Sequence, residues 1–406
     1  MVLGRLLSMT RAGRASFSFQ RYFMRLFTFS VLFSAFALSA TAQLTGNGYY
    51  RASSTAYGRY ITVIDNRTNG ANYQTSSVDL QALRTIRPFT GRVDSDPATV
   101  LYFSYQGNTG SGDAQYDLKA QGVDTYKLVQ AHLIIKENAD GTYWAYGSQV
   151  KAGTTWTLYL LDEQNQYKDV GNLVTANSAA KKWLITPISA ASDNYFGVKP
   201  TVNIDDKWYA TLYADFAFQT YSSGMKVYYI DAIKDGAGVD YAELKEITGI
   251  VPANTPVIIE CSSSEATDNR LELIYDETAA PRGNILKGVY FENIDAYGTG
   301  VNSGHQNSLA YNASTMRVLA KVDGALGFRT SKTLNYIPAN SAYLPVPEGW
   351  DDKVLCLSAA EYASAIQSVE ADDDASSAIY NLMGQKVPNA DAPGIYIIGG
   401  KKVIRK

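Results

Sequence analysis

Between Gly46 and about Pro200, short runs of apolar, aromatic and β-branched residues alternate with clusters of Gly, Asn, Asp and Ser. The runs cover 49–52, 60–64, 100–105, 126–136, 142–146, 155–161 and 183–188. Thr45-Gly46-Asn47-Gly48 and Asn138-Ala139-Asp140-Gly141 typify the clusters. Short strands at this spacing, joined by turns of this composition, predict a barrel or a sandwich. Residues 78–86 (VDLQALRTI) predict one short helix, with apolar positions near i, i+2, i+5 and i+8.

The pattern continues past residue 200 with Trp208-Tyr209-Ala210-Thr211-Leu212-Tyr213, Phe216-Ala217-Phe218 and Met225-Lys226-Val227-Tyr228-Tyr229. Pro252-Ala253-Asn254 precedes Val257-Ile258-Ile259, and Pro338-Ala339-Asn340 precedes Ala342-Tyr343-Leu344. Pro fixes φ and Asn tolerates the left-handed region, so each Pro-Ala-Asn predicts a tight turn that delivers the chain into a buried strand. Ser358-Ala359-Ala360-Glu361 has the form of a capping box, opening a short helix to about Val369. Residues 370–377 (EADDDASS) form an acidic, solvated linker without the ligand pattern of a calcium loop. From Ala378 onward the chain predicts strand, turn, strand and a hairpin about Gly399-Gly400, since a type I′ turn needs φ > 0 twice.

Three resemblances follow from these strings. Gly48-Tyr49-Tyr50-Arg51 followed by Gly58-Arg59-Tyr60-Ile61 echoes Gly141-Thr142-Tyr143-Trp144 followed by Thr155-Trp156-Thr157-Leu158-Tyr159, and residues 182–187 (KWLITP) close another unit. This arrangement resembles β-trefoil domains of the ricin-like lectin type. The Gln-x-Trp closing motif is absent, so the sugar-binding residues of those lectins have no counterparts here. The doubled Pro-Ala-Asn series is similar to a module of many secreted, mostly uncharacterised proteins of the Bacteroidota. The final 30 or so residues, with Tyr380-Asn381-Leu382, Gly384-Gln385-Lys386-Val387 and Gly394-Ile395-Tyr396-Ile397-Ile398, resemble the end of type IX secretion sorting domains. That likeness implies a recognition element; a plain terminal hairpin is the alternative.

The N-terminus changes the picture of charge and address. Residues 26–38 (LFTFSVLFSAFAL) follow Met24-Arg25 and lead to Ser39-Ala40-Thr41-Ala42-Gln43. A basic region, an apolar run and small residues at Ala40 and Ala42 predict a signal peptide cleaved before Gln43, with Met24 as an alternative start. The apolar run is shorter than the roughly 20 residues of a membrane span, so no transmembrane segment is expected after signal removal. The chain carries 36 basic and 39 acidic residues, and five of the arginines lie in 1–42, where there is no acid. Residues 43–406 therefore hold 31 basic against 39 acidic residues, a balance that argues against nucleic acid as a partner. Thirty tyrosines suit the paired faces of sheets.

Candidate chemistry is sparse. His132 lies in an apolar run and reads as a strand residue, whereas His305 lies in a Gly/Ser/Asn loop, where a general base is conceivable but no nucleophile can be named. Cys261 and Cys356 form an even pair in an exported chain, compatible with a disulfide or with two buried thiols. Asp65-Asn66-Arg67-Thr68-Asn69-Gly70 is a hairpin turn rather than a calcium loop, because Arg67 occupies a ligand position. No nucleophile elbow, zinc-protease motif or phosphate loop is present. No catalytic residue, metal site or cofactor is expected.

The expected fold class is all-β: signal peptide 1–42, a trefoil-like domain 43–200, a β-sandwich-like domain 201–357, a short helix and acidic linker 358–377, and a C-terminal β-hairpin tail 378–406. The expected function is that of an exported, non-enzymatic surface or secreted protein binding glycan or protein, with the export machinery as a further partner. It would be periplasmic if the tail is not a sorting signal. The alternatives are a structural component of the cell surface or outer-membrane vesicles, and an extracellular hydrolase.

Overall fold

The computed structural model describes residues 44, 46–62, 86–87, 93–126, 132–162, 170–173, 181–235, 240–275, 279–291, 309–358, 361, 379–398 and 401–405. The chain divides into two compact units, Met1–Thr45 and Gly46–Lys406. Leu44 is the one described residue of the first. The signal-peptide residues Ala40, Ala42 and Gln43 lie outside the described residues, as do His305, 65–70 and 370–377.

The second unit is all-β. Its first eleven strands are β1 (Gly48–Ser54), β2 (Tyr60–Ile61), β3 (Ile86–Arg87), β4 (Leu101–Asn108), β5 (Ala114–Ala120), β6 (Val123–Tyr126), β7 (Leu133–Glu137), β8 (Tyr143–Lys151), β9 (Thr154–Asp162), β10 (Val170–Leu173) and β11 (Lys182–Pro187). The antiparallel pairs β1–β4, β4–β5, β5–β7, β7–β8, β8–β11 and β11–β1 close a six-stranded barrel. β2–β3, β6 and β9–β10 branch from β1, β5 and β8, once per third of the barrel. This is trefoil-like connectivity. Side chains on a strand alternate faces, and each barrel strand sends an i, i+2 pair inward: Tyr50 and Ala52, Leu101 and Phe103, Tyr116 and Leu118, Leu133 and Ile135, Tyr143 and Ala145, Trp183 and Ile185, all buried. Of the expected helix, 78–85 lie outside the described residues, and Ile86 belongs to β3.

The following strands are β12 (Phe196–Gly197), β13 (Val202–Ile204), β14 (Lys207–Leu212), β15 (Ala217–Thr220), β16 (Lys226–Asp235), β17 (Asp240–Ile247), β18 (Val257–Cys261), β19 (Arg270–Ile274), β20 (Lys287–Val289), β21 (Met316–Val322), β22 (Ala325–Arg329), β23 (Ser341–Pro345) and β24 (Lys353–Leu357). Ten of them form one curled sheet in the order β13-β14-β18-β16-β17-β24-β22-β21-β23-β20, and β12-β19-β15 form a smaller one. The central strand β18 is buried on both faces, as its unbroken apolar run requires. Its Val257, Ile259 and Cys261 pack with Phe196, Phe218 and Leu271 of the small sheet. Its Ile258 packs on the other side with Ile230, Phe328, Val354 and Cys356. The architecture is thus sandwich-like where the small sheet covers the large one and curled elsewhere.

Both Pro-Ala-Asn turns adopt the expected form, with Asn254 at φ 59° and Asn340 at φ 52°, leading into β18 and β23. Together they grip the chain just after β14: Asn254 N donates to Ala214 O at 2.8 Å, and Tyr213 N donates to Asn340 O at 2.9 Å. The capping box forms reciprocally, Glu361 N donating to Ser358 Oγ and Ser358 N to Glu361 Oε2. The tail forms the expected strand, turn and strand followed by the expected hairpin, all in one sheet. β25 (Ile379–Asn381), β26 (Lys386–Val387), β27 (Gly394–Ile398) and β28 (Lys401–Arg405) make a four-stranded sheet in the order β26-β25-β27-β28. Ile398 pairs with Lys401, leaving a two-residue connection at Gly399-Gly400, which themselves lie outside the described residues.

Candidate functional site

The outer face of β1 carries the residues of interest. Tyr50, Ala52 and Ser54 point into the barrel, so Arg51 and Ser53 must point out of it. Thr186 of β11 lies opposite Arg51, and Tyr60 of β2 lies opposite Ser53. Asp94, from a single 3₁₀ turn, and Asp193, Asn194 and Tyr195, from the loop after β11, complete the walls of a cleft of about 320 Å³.

Arg51 organises this cleft although it is only 2% exposed. Its Nε donates to Thr99 Oγ1 at 3.0 Å, and its Nη1 donates to Asn194 Oδ1 at 2.7 Å and Tyr195 O at 2.8 Å. Burial pushes the guanidinium down to about 10, opposed by the nearby carboxylates Asp94 and Asp96. Tyr195 donates its hydroxyl to Asp94 at 2.5 Å.

The loop is held from both sides. Asn194 Nδ2 donates to the carbonyls of Thr186 and Pro187. On the other flank, Arg270 of β19 donates to Ala190 O and Ser192 O, and Glu272 accepts from Ala190 N at 2.9 Å. Arg270 also lies 4.0 Å from the centre of the Tyr195 ring. The cleft is therefore preorganised, with rotamers fixed by bonds beyond the wall itself.

What remains open to a ligand is oxygen-rich. The hydroxyls of Ser53, Tyr60 and Thr186 and the carboxylate of exposed Asp193 make no hydrogen bond among the described residues. Such groups bind and orient polar ligands.

The residues singled out by sequence lie elsewhere. His132 Nδ1 stands 2.7 Å from Asp117 Oδ1, just ahead of β7. Ser104 lies opposite Asp117 on the neighbouring strand, which puts the carboxylate rather than the imidazole in the middle. A nucleophile–base pair needs the reverse order. Cys261 and Cys356 are both buried free thiols, so the disulfide alternative is corrected. They belong to different cores, on strands three positions apart in the sheet order. That is roughly 14 Å of sheet, well beyond the Cα spacing of a disulfide. Among the described residues no group of three or more His, Cys, Asp or Glu is placed to hold a metal ion, and no helix is long and apolar enough to cross a membrane.

The cleft residues themselves carried no sequence motif. The nearest signal was Arg51, a charge inside a strand-like run, and the turn-forming cluster at 189–194. No family model matches the chain, and no curated protein matches it. Among solved structures, one titled "Structure and mode of action of a mosquitocidal holotoxin" is similar at 11% identity with a TM-score of 0.23, over 76% of this chain and 45% of that one. This chain thus spans less than half of the toxin's length, and a superposition so loose carries no argument about fold or function.

Proposed function

We propose that this is an exported, non-enzymatic surface or secreted protein that binds glycan in the cleft on the outer face of the trefoil-like barrel. The observation that carries the reading is the preorganised, oxygen-rich wall built around Arg51, with Ser53, Tyr60, Thr186 and Asp193 open to a ligand. Ligand sites combine a formed cavity with a few fixed polar groups, and a polyhydroxylated ligand matches groups that both donate and accept. Export is supported by the leader pattern ending at Ala40, Ala42 and Gln43. The tail's likeness to sorting domains supports a cell-surface or extracellular destination.

The test is binding of the mature chain, 43–406, to an array of oligosaccharides. Ser53→Trp fills the cleft from the β1 wall at a half-buried position. It is expected to reduce binding at least about tenfold, with the thermal midpoint held within about 2 °C. Unchanged binding by a folded Ser53→Trp protein would place the glycan site elsewhere; a stable protein partner without sugar affinity would favour the structural-component reading.

A further inference from the structure

The charge balance of the cleft selects among glycans. This inference rests on the glycan-binding reading and names the class of sugar: we propose that the cleft accepts neutral, hydroxyl-rich sugars and rejects those bearing carboxylate or sulfate groups.

The one cation among the described residues of the wall, Arg51, directs its guanidinium at Thr99, Asn194 and the Tyr195 carbonyl, with Asp94 and Asp96 within its field. Arg270, on the far side of the loop, covers the Tyr195 ring and donates to the carbonyls of Thr267, Ala190 and Ser192. Both guanidiniums thus hold the protein's own loop. Against Arg51 the wall sets two carboxylates, Asp94 and Asp193.

The open groups fit this division. Asp193 only accepts, whereas Ser53, Tyr60 and Thr186 donate or accept as the ligand requires. A sugar hydroxyl donates to the carboxylate and exchanges bonds with the hydroxyls. An anionic substituent meets like charge at Asp193 and, among the described residues that line the cleft, no guanidinium beyond the engaged Arg51. The wider field has the same sign, since residues 43–406 carry 39 acidic against 31 basic residues.

Matched pairs decide the matter: one neutral oligosaccharide, and the same oligosaccharide with a terminal sialic acid or a sulfate. Their affinities for the mature chain are measured by calorimetry at about 0.15 M salt and again at about 1 M. The neutral member is expected to bind at least about tenfold tighter at the lower salt, with the gap narrowing at the higher. Asp193→Asn, at an exposed position, is expected to narrow the gap at least about threefold at the lower salt. Equal or tighter binding of the acidic member overturns the selectivity and leaves the glycan reading standing. Absence of binding to either member, at concentrations where the array has shown none, overturns both.

Discussion

Arg51, Asn254 and Asn340 show how single residues are tied to their places. Arg51 tolerates burial because its Nε and Nη1 meet three oxygens, and removing one partner would leave a buried polar group unmet. The two asparagines hold positive φ, which a β-branched residue would adopt only under strain. The two cysteines invite a direct test at this scale. Burial pushes the Cys261 thiol up to about 12 and that of Cys356 higher still. The thiolate is the reactive form, so a raised thiol stays protonated and inert throughout the range below its shifted value. A disulfide-exchange dye at about pH 8 is expected to find no reactive thiol in the native protein and both of them after denaturation without reductant. Failure to titrate any thiol after denaturation would restore the bridge.

At the level of elements, the β16–β17 pair combines a register shift between Ile230 and Ile233 with a buried acid, Glu243. The Glu243 carboxyl receives the Lys234 ammonium across the pair and that of Lys245 two residues on at 2.6 Å. Hydrogen bonds from these two lysines hold it below the usual carboxylate range. A carboxyl depressed in the folded state stabilises that state above its unfolded value of about 4.3, and the contribution fades as pH falls through the folded value. Glu243→Gln is therefore expected to lower the urea midpoint at pH 7, with the difference from the native protein shrinking toward pH 3. A difference that stays constant over that interval would assign the effect to packing alone. The element patterns themselves were legible in advance. The strand-like runs at 49–52 and 155–161 lie within β1 and β9, and that at 100–105 falls in β4 save for Val100, because strand propensity and turn chemistry act over a few residues.

Over the whole second unit, the barrel packs into one of the cores of the sheets beyond it. Tyr49, Val100 and Ile188 pack against the cluster that holds Phe196, Phe216 and Leu271. Farther along, Gln121 and Asn340 exchange a reciprocal pair of amide bonds at 2.9 and 2.7 Å, while Gly122 N donates to Asp215. A Cβ on Gly122, at φ 75°, would fall 2.6 Å from the Tyr290 ring, so the contact depends on glycine. Residues 46–357 are expected to unfold in a single calorimetric transition, and cutting the chain at residue 200 to leave neither half folded. Asn340→Ala is expected to cost about 2–4 kcal/mol while keeping one transition, since it loses the amide pair, a bond to Tyr213 O and an αL-tolerant residue. Two separate transitions would show independent domains. The sequence by itself determined the all-β character, the positions of many strands, the αL turns at Asn254 and Asn340, and the capping box at Ser358, because each is decided by residues close along the chain. Only the tertiary structure decided the barrel's closure, the separation of Cys261 from Cys356, and the cleft. Closure requires β11 to find both β1 and β8, and the cleft unites Arg51, Asp94 and Asn194 from distant stretches of chain. Such common residue types become a site only when long-range pairing brings them to one face.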